Sequence, residues 1–81
     1  MNARARVRLP VGVDEFVRHL GLTRAEAEVV RELCQGLSAD EIAGHRGVSV
    51  TTVRTQLQRA MEKVGAHSQA ALVALALRPF L

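Results

Sequence analysis

The sequence predicts an all-α fold of four helices with a short extra helix ahead of them, and three observations lead to this prediction. Only two of the 81 residues are aromatic, whereas sheets favour aromatic and β-branched residues. Apolar residues recur at steps of three and four along several segments, which is the period of a helix with one buried face. Two segments also open with a hydroxyl residue followed three positions later by Glu, a capping box. These pairs are Thr23 with Glu26 and Ser38 with Glu41.

Residues 1–20 are predicted to form a basic arm and a short helix, ahead of a domain over residues 21–81. The whole net charge of +3 lies in the arm, because residues 9–81 hold eight basic and eight acidic side chains. The arm is either a contact for DNA phosphates or a solubilising tail. Its basic residues are Arg4, Arg6 and Arg8. The spacing of Phe16, Val17 and Leu20 then predicts a short helix that Asp14 caps.

The four helices of the domain have predicted starts and ends. The first capping box opens a helix that Gly36 closes, and the second opens a short helix that Gly44 and Gly47 end. Ser49 caps a third helix that ends at Gly65, and Ser68 caps a fourth that stops before Pro79. The outer face of the first of these helices is predicted to carry Arg24, Glu28, Arg31 and Glu32.

The third helix has one narrow apolar stripe and a polar opposite face. The stripe consists of Val50, Val53, Leu57, Ala60, Met61 and Val64. The opposite face consists of Thr51, Thr52, Arg54, Thr55, Gln58, Arg59 and Glu62. A short helix, a tight turn and a second helix with such a face form a helix-turn-helix unit, whose second helix enters the major groove of duplex DNA.

The side chains of this face have the chemistry that base and phosphate recognition needs. Arg54 offers forked donors to guanine, Gln58 can pair with adenine, and the Thr55 methyl can contact thymine. These three residues are the predicted base-reading set. The predicted phosphate contacts on the same helix are Thr51, Thr52, Arg59 and Lys63.

Residues 21–77 resemble the LuxR-type DNA-binding domain, which is also the output domain of many bacterial response regulators. The stretch LTRAEAEVVRELCQGLSADEIA is similar to the family's LTxRExEVLxLxAxGLSNKEIA. The stretch VSVTTVRTQLQRAMEKVGAHS is similar to its ISxxTVKxHLxxIxxKLGVxSR. The resemblance implies a support helix over residues 23–35, a scaffold helix over 38–45, a recognition helix over 49–64 and a dimer contact over 69–77. It also implies promoter binding by a homodimer.

The fourth helix supplies the predicted dimer contact, through Leu72, Val73, Ala76 and Leu77. Several positions depart from the family pattern. Asp40 stands where the family has a cation near the phosphates, Gln56 stands where it often has His, and Gln58 stands where it often has a basic residue. Arg46 takes a position where the family usually buries Leu, and it is a further candidate for a phosphate contact or for a side chain that extends to the surface.

Other classes of protein fit the sequence less well. The three histidines lie on separate segments and have no spacing typical of a metal site or a catalytic triad, so neither an enzyme nor a cofactor is predicted. The single Cys34 excludes an intrachain disulfide and is expected in the core. The longest apolar stretch, residues 70–77, is too short to span a membrane and the start lacks a signal peptide, so we expect a cytoplasmic protein.

Two alternative functions stay open. The segment VRTQLQRAMEKV is also similar to the promoter-reading region of a sigma factor, although that module does not need the apolar helix that follows here. Alternatively, the chain is an interaction module that pairs with itself, a larger regulator or RNA polymerase and has lost DNA affinity. Asp40 and the neutral character of the groove face motivate this second alternative. The operator sequence, the upstream signal and whether the chain is free-standing or an excised domain stay undecided.

Overall fold

Five α-helices make up the computed structural model, which describes residues 8–80. Arg4 and Arg6 of the predicted arm lie outside this range. The helices are α1 (Val13–Arg18), α2 (Arg24–Cys34), α3 (Ala39–Arg46), α4 (Val50–Val64) and α5 (Gln69–Leu77), followed by a 3₁₀ turn at Arg78–Phe80. The part of the chain described contains no strand. The predicted all-α fold, with four helices and a short helix ahead of them, is therefore confirmed.

Local hydrogen bonds start the helices where the sequence predicts. Both capping boxes form, and in each the hydroxyl oxygen accepts from the third helical N–H while the Glu carboxylate accepts from the cap's own N–H. Ser49 and Ser68 cap α4 and α5 through one hydrogen bond each. Every such bond satisfies an N–H that has no partner within the helix. The residues next to each helix therefore determine where these four helices begin.

Two of the predicted boundaries are wrong. Asp14 does not cap α1, because Gly12 adopts a left-handed conformation (φ 96°) and begins the helix earlier, with its carbonyl accepting from Phe16 N–H at 2.9 Å. Asp14 instead lies in the first turn, where its charge favours the helix dipole. Gly44 lies inside α3, which ends at Gly47 (φ 69°).

Helix α2 occupies the centre of the molecule and contacts all four other helices. The core is aliphatic, and Cys34 lies within it as predicted, 5% exposed. Burial raises the pKa of the Cys34 thiol to about 11. The largest fully buried side chains are Ile42, Leu57, Leu72, Val13, Val17, Val29, Val30 and Val53.

Helix α1 covers one side of the domain by packing against α2 and α5. Val13 and Val17 are both 1% exposed there. The ring of Phe16 meets the ring of Phe80 edge to face, with centroids 5.8 Å apart, a preferred arrangement of aromatic pairs. The extra helix therefore belongs to the same core as the four others. None of the helices within residues 8–80 is both long and apolar enough to cross a bilayer.

Candidate nucleic-acid interface

Helix α4 presents one continuous polar face to solvent. Its apolar side is fixed by Val53, Leu57 and Ala60, which are at most 1% exposed and lie on the side packed against α2 and α3. The predicted outward face is confirmed, since all its members are exposed: Thr51, Thr52, Arg54, Thr55, Gln58, Arg59 and Glu62. Burial of the stripe thus sets which side chains α4 offers to a partner.

The predicted base-reading residues lie together on this face. Arg54 and Gln58 are one turn apart, and Thr55 lies three positions before Gln58, so the three side chains are surface neighbours. The Arg54 side chain makes no ion pair or hydrogen bond with any other described residue. The Gln58 amide donates to a Glu62 carboxylate oxygen at 3.3 Å, which leaves its own carbonyl on the exposed face. These groups form a compact set of donors and acceptors.

The residues predicted to contact phosphate divide into two groups. Thr51, Thr52 and Arg59 are exposed on α4 beside the base-reading set. The Thr52 hydroxyl lies 2.9 Å from the Ser49 hydroxyl, and the Arg59 side chain has no partner among residues 8–80. Arg46 and Lys63, by contrast, are each engaged by acidic side chains of α2.

Lys63 joins the last turn of α4 to the first turn of α2. Its ammonium nitrogen lies 2.7 Å from Oε1 of Glu26, the carboxylate that closes the first capping box at 2.9 Å from the Thr23 nitrogen. The Glu26 side chain is only 5% exposed. The hydrogen bond from Lys63, followed by that from the Thr23 backbone, lowers the pKa of Glu26. Lys63 therefore has a structural partner that sequence spacing did not indicate.

Arg46 lies against α2, with its side chain 23% exposed. Its Nη2 donates to Glu28 Oε1 at 2.9 Å. This hydrogen bond lowers the pKa of Glu28. Glu32 was predicted on the outer face of its helix, and this is wrong, because its side chain is 7% exposed beneath Arg46 and His45. No signal in the sequence pairs these residues, since 18 positions separate Arg46 from Glu28.

Two of the four residues predicted at the dimer contact are buried and two are half-buried. Leu72 and Ala76 are fully buried in the chain's own core, so they present no surface to a second copy. Val73 and Leu77 are half-buried. The exposed residues of α5 are Gln69, Ala70, Ala71 and Ala74, and Leu75 is half-buried like Val73 and Leu77.

The histidines of the described chain lie on separate segments. Within residues 8–80, no group of three His, Cys, Asp or Glu side chains could hold a metal ion. His45 Nδ1 lies 3.1 Å from Glu32 Oε2, and His19 Nδ1 lies 2.7 Å from its own helix's Glu15 carbonyl. His67 is exposed in the turn before α5. His19, His45 and His67 therefore have separate surroundings: the end of α1, the end of α3 and the turn before α5.

Comparison with known proteins identifies a family with this sequence pattern. The family described as "Bacterial regulatory proteins, luxR family" matches residues 20–76, which include α2 to α4 and nearly all of α5. One relative is the HTH-type transcriptional regulator MalT of Serratia proteamaculans (strain 568), 38% identical over 61 residues. The match covers 74% of this chain but only 7% of the relative. No solved structure matches the chain significantly. The family match covers well over half of the chain, and the protein therefore belongs to the luxR family of bacterial regulatory proteins.

Proposed function

We propose that this domain binds duplex DNA in a sequence-dependent manner and serves transcription regulation, with α4 inserted in the major groove. The observation that carries the proposal is the exposed α4 face, where Arg54, Thr55 and Gln58 are neighbours. The guanidinium of Arg54 is not paired with a carboxylate of any described residue. Forked Arg donors, an amide and a Thr methyl are the groups that distinguish base edges. Family membership and the name of MalT, a transcriptional regulator, support the same function.

The proposed phosphate contacts lie on both sides of this set. Thr51 and Thr52 lie at the start of α4, where the helix dipole favours an anion, and Arg59 lies near the other end of the face. Arg46 and Lys63 are held by acidic groups of α2, and we assign them to contacts between helices rather than to phosphate. Within residues 8–80, the polar face of α4 therefore brings two arginines to DNA, Arg54 and Arg59, and a second copy would double this electrostatic attraction.

A second copy is proposed to dock on α5. This helix has no charged residue between Gln69 and Leu77, and Ala70, Ala71 and Ala74 form its exposed side. Small side chains permit close approach of two helices, and an isologous contact repeats the same patch on both copies. Two α4 helices related in this way would read two half-sites.

The first prediction tests DNA binding by α4. We expect Arg54→Ala to weaken binding to random-sequence duplex DNA by about tenfold or more, because it removes the one cation of the proposed base-reading set. Fluorescence anisotropy at several salt concentrations measures the loss. The matched control is Arg18→Ala, which removes the same charge from an exposed position on α1, and we expect it to change affinity by less than about twofold.

The salt dependence distinguishes the proposed function from the alternative. Each phosphate contact makes the slope of log affinity against log salt more negative by about 0.9, so a wild-type slope near zero would contradict DNA binding. Equal losses in Arg54→Ala and Arg18→Ala would contradict the role of α4. Absence of binding at low salt, together with a stable dimer, would favour the interaction module.

A further inference from the structure

Arg46, the last residue of α3, connects this helix to two successive turns of α2. Its Nη2 donates to Glu28 at 2.9 Å, and its Nη1 lies 3.9 Å from Glu32 Oε2. Glu28 and Glu32 are one turn apart and share one face of α2. One planar guanidinium thus bridges two carboxylates, a geometry that the forked donors of Arg allow and that a Lys ammonium would not reproduce.

Glu32 needs this contact because its carboxylate is buried. Its side chain is 7% exposed, and its Oε1 is buried without a hydrogen-bond partner among residues 8–80. A buried carboxylate is tolerated only when cations or donors compensate its charge. Arg46 and His45, both in the last turn of α3, are the groups that face it. The charge of Glu32 therefore holds the end of α3 against α2.

Helix α3 packs on α4 more extensively than on α2. Its buried side chains are Ile42 and Ala43, and the next residue, Gly44, is a poor helix former. Beyond Arg46 the chain turns at Gly47 in a left-handed conformation. The turn is tied back to α3 by two hydrogen bonds, in which the carbonyl of Ala43 accepts from the N–H of Gly47 and, at 3.1 Å, from the N–H of Val48. The cap of α4 follows directly, so the last turn of α3 sets where α4 begins.

We propose that Arg46 is a positioning residue for DNA binding, which fixes the α3–α4 turn by locking α3 onto Glu28 and Glu32. Only the consequence for DNA affinity rests on the proposed function. The lock itself is a property of the isolated domain, and it assigns to Arg46 a role that involves no contact with DNA.

The test compares Arg46→Leu with Arg24→Leu. Arg24 also pairs with Glu28, at 3.4 Å, but its side chain is 94% exposed and lies on the same helix as its partner. The two variants remove the same charge from around the same carboxylate. We expect Arg46→Leu to lower DNA affinity about tenfold with an unchanged salt slope, and Arg24→Leu to change affinity less than about twofold.

Amide hydrogen exchange gives a second measurement that needs no DNA. We expect the Val48 amide to exchange about tenfold faster in Arg46→Leu relative to the Leu57 amide in the core of α4, and no such change in Arg24→Leu. Normalising to Leu57 separates a loosened turn from a general loss of stability. If the wild type fails to bind DNA, the proposed function fails while the exchange of Val48 still decides the role of Arg46.

A double variant keeps the test decisive if Arg46→Leu folds poorly. In Arg46→Leu/Glu32→Leu the buried charge is gone and an apolar pair replaces the ionic one, an exchange that proteins often tolerate. We expect this variant to recover most of the lost affinity and Val48 protection. Three results would overturn the proposal. The first is a salt slope whose magnitude falls by about one in Arg46→Leu, which marks a phosphate contact. The others are a double variant that binds DNA as weakly as Arg46→Leu, and equal Val48 exchange rates in Arg46→Leu and Arg24→Leu.

Discussion

At the scale of single residues, Glu26 shows how one carboxylate oxygen can serve two helices. Its Oε1 accepts from the Thr23 N–H at the start of α2 and from the ammonium of Lys63 at the end of α4. The first contact was predictable because it spans three residues. The second spans 37 positions, and only the packing of α2 against α4 creates it.

Replacing Glu26 by Gln should remove the pairing with Lys63 while keeping the cap, since Gln also completes a capping box. We expect a loss of about 1–2 kcal/mol in the free energy of unfolding at neutral pH, the scale of a hydrogen bond to a charged group. Urea unfolding followed by circular dichroism measures it. The control is Glu62→Gln, which removes an exposed carboxylate from α4, the helix that carries Lys63.

The same pair makes stability depend on pH in a defined direction. Lys63 and Thr23 lower the pKa of Glu26 in the folded protein, so its contribution is present above the unfolded-state pKa and disappears as pH falls through the folded-state value. The difference between wild type and Glu26→Gln should therefore shrink as pH is lowered from about 7 to about 3. A difference that stays constant over this range would contradict the assignment.

At the scale of elements, the short helix α3 depends strongly on its cap. Ser38 accepts from the Glu41 N–H at 3.1 Å, and Glu41 accepts from the Ser38 N–H at 2.8 Å. We expect Ser38→Ala to destabilise the domain by about 1 kcal/mol and Ser38→Gly by only a few tenths, since Gly is tolerated at this position. Thermal unfolding of both variants checks this order. Equal costs, or a smaller cost for Ala, would show that the cap does not support α3.

Helix starts were predictable from sequence, whereas the partners of long side chains were not. The caps Thr23, Ser38, Ser49 and Ser68 each accept from an N–H three residues away, so the local sequence contains the whole interaction. The start of α1 was mispredicted because Gly12 offers a backbone conformation that competes with the Asp14 cap. The pairing of Arg46 and the burial of Glu32 depend on how α3 lies on α2, which local spacing does not encode.

The candidate interface was also predictable only in part: the face of α4 was, and the surface of α5 was not. The polar face of α4 follows from helical periodicity, which is why all its predicted members are exposed. On α5 periodicity gave less information, because nearly every position is apolar and the buried side cannot be distinguished from the exposed one. Leu72 and Ala76 were consequently assigned to a partner although they fill the core.

At the scale of the whole molecule, a dimer would depend on the exposed alanines of α5. We expect Ala74→Glu to raise the dissociation constant of a homodimer at least about tenfold, since it places an unpaired charge in an apolar contact. Sedimentation equilibrium of the two proteins measures it. Gln69→Glu is the comparison variant, because it adds the same charge at the polar start of the helix, beside the alanine surface rather than within it. Monomer mass for both wild type and Ala74→Glu would contradict dimerisation through α5.

The contact between α1 and the 3₁₀ turn brings together chain segments from opposite ends of the described sequence. Phe16 stacks edge to face on Phe80, and a Cβ placed on Gly12 would lie 3.3 Å from the same ring. The start of α1 and the 3₁₀ turn after α5 are thus adjacent in space, a proximity typical of domains that accept circular permutation or insertion into a host protein. A short linker could join these two segments, and a new opening could fall between α4 and α5 with the polar face of α4 unchanged. Packing of α1 on α5 thus makes the order of the helices along the chain open to rearrangement by design.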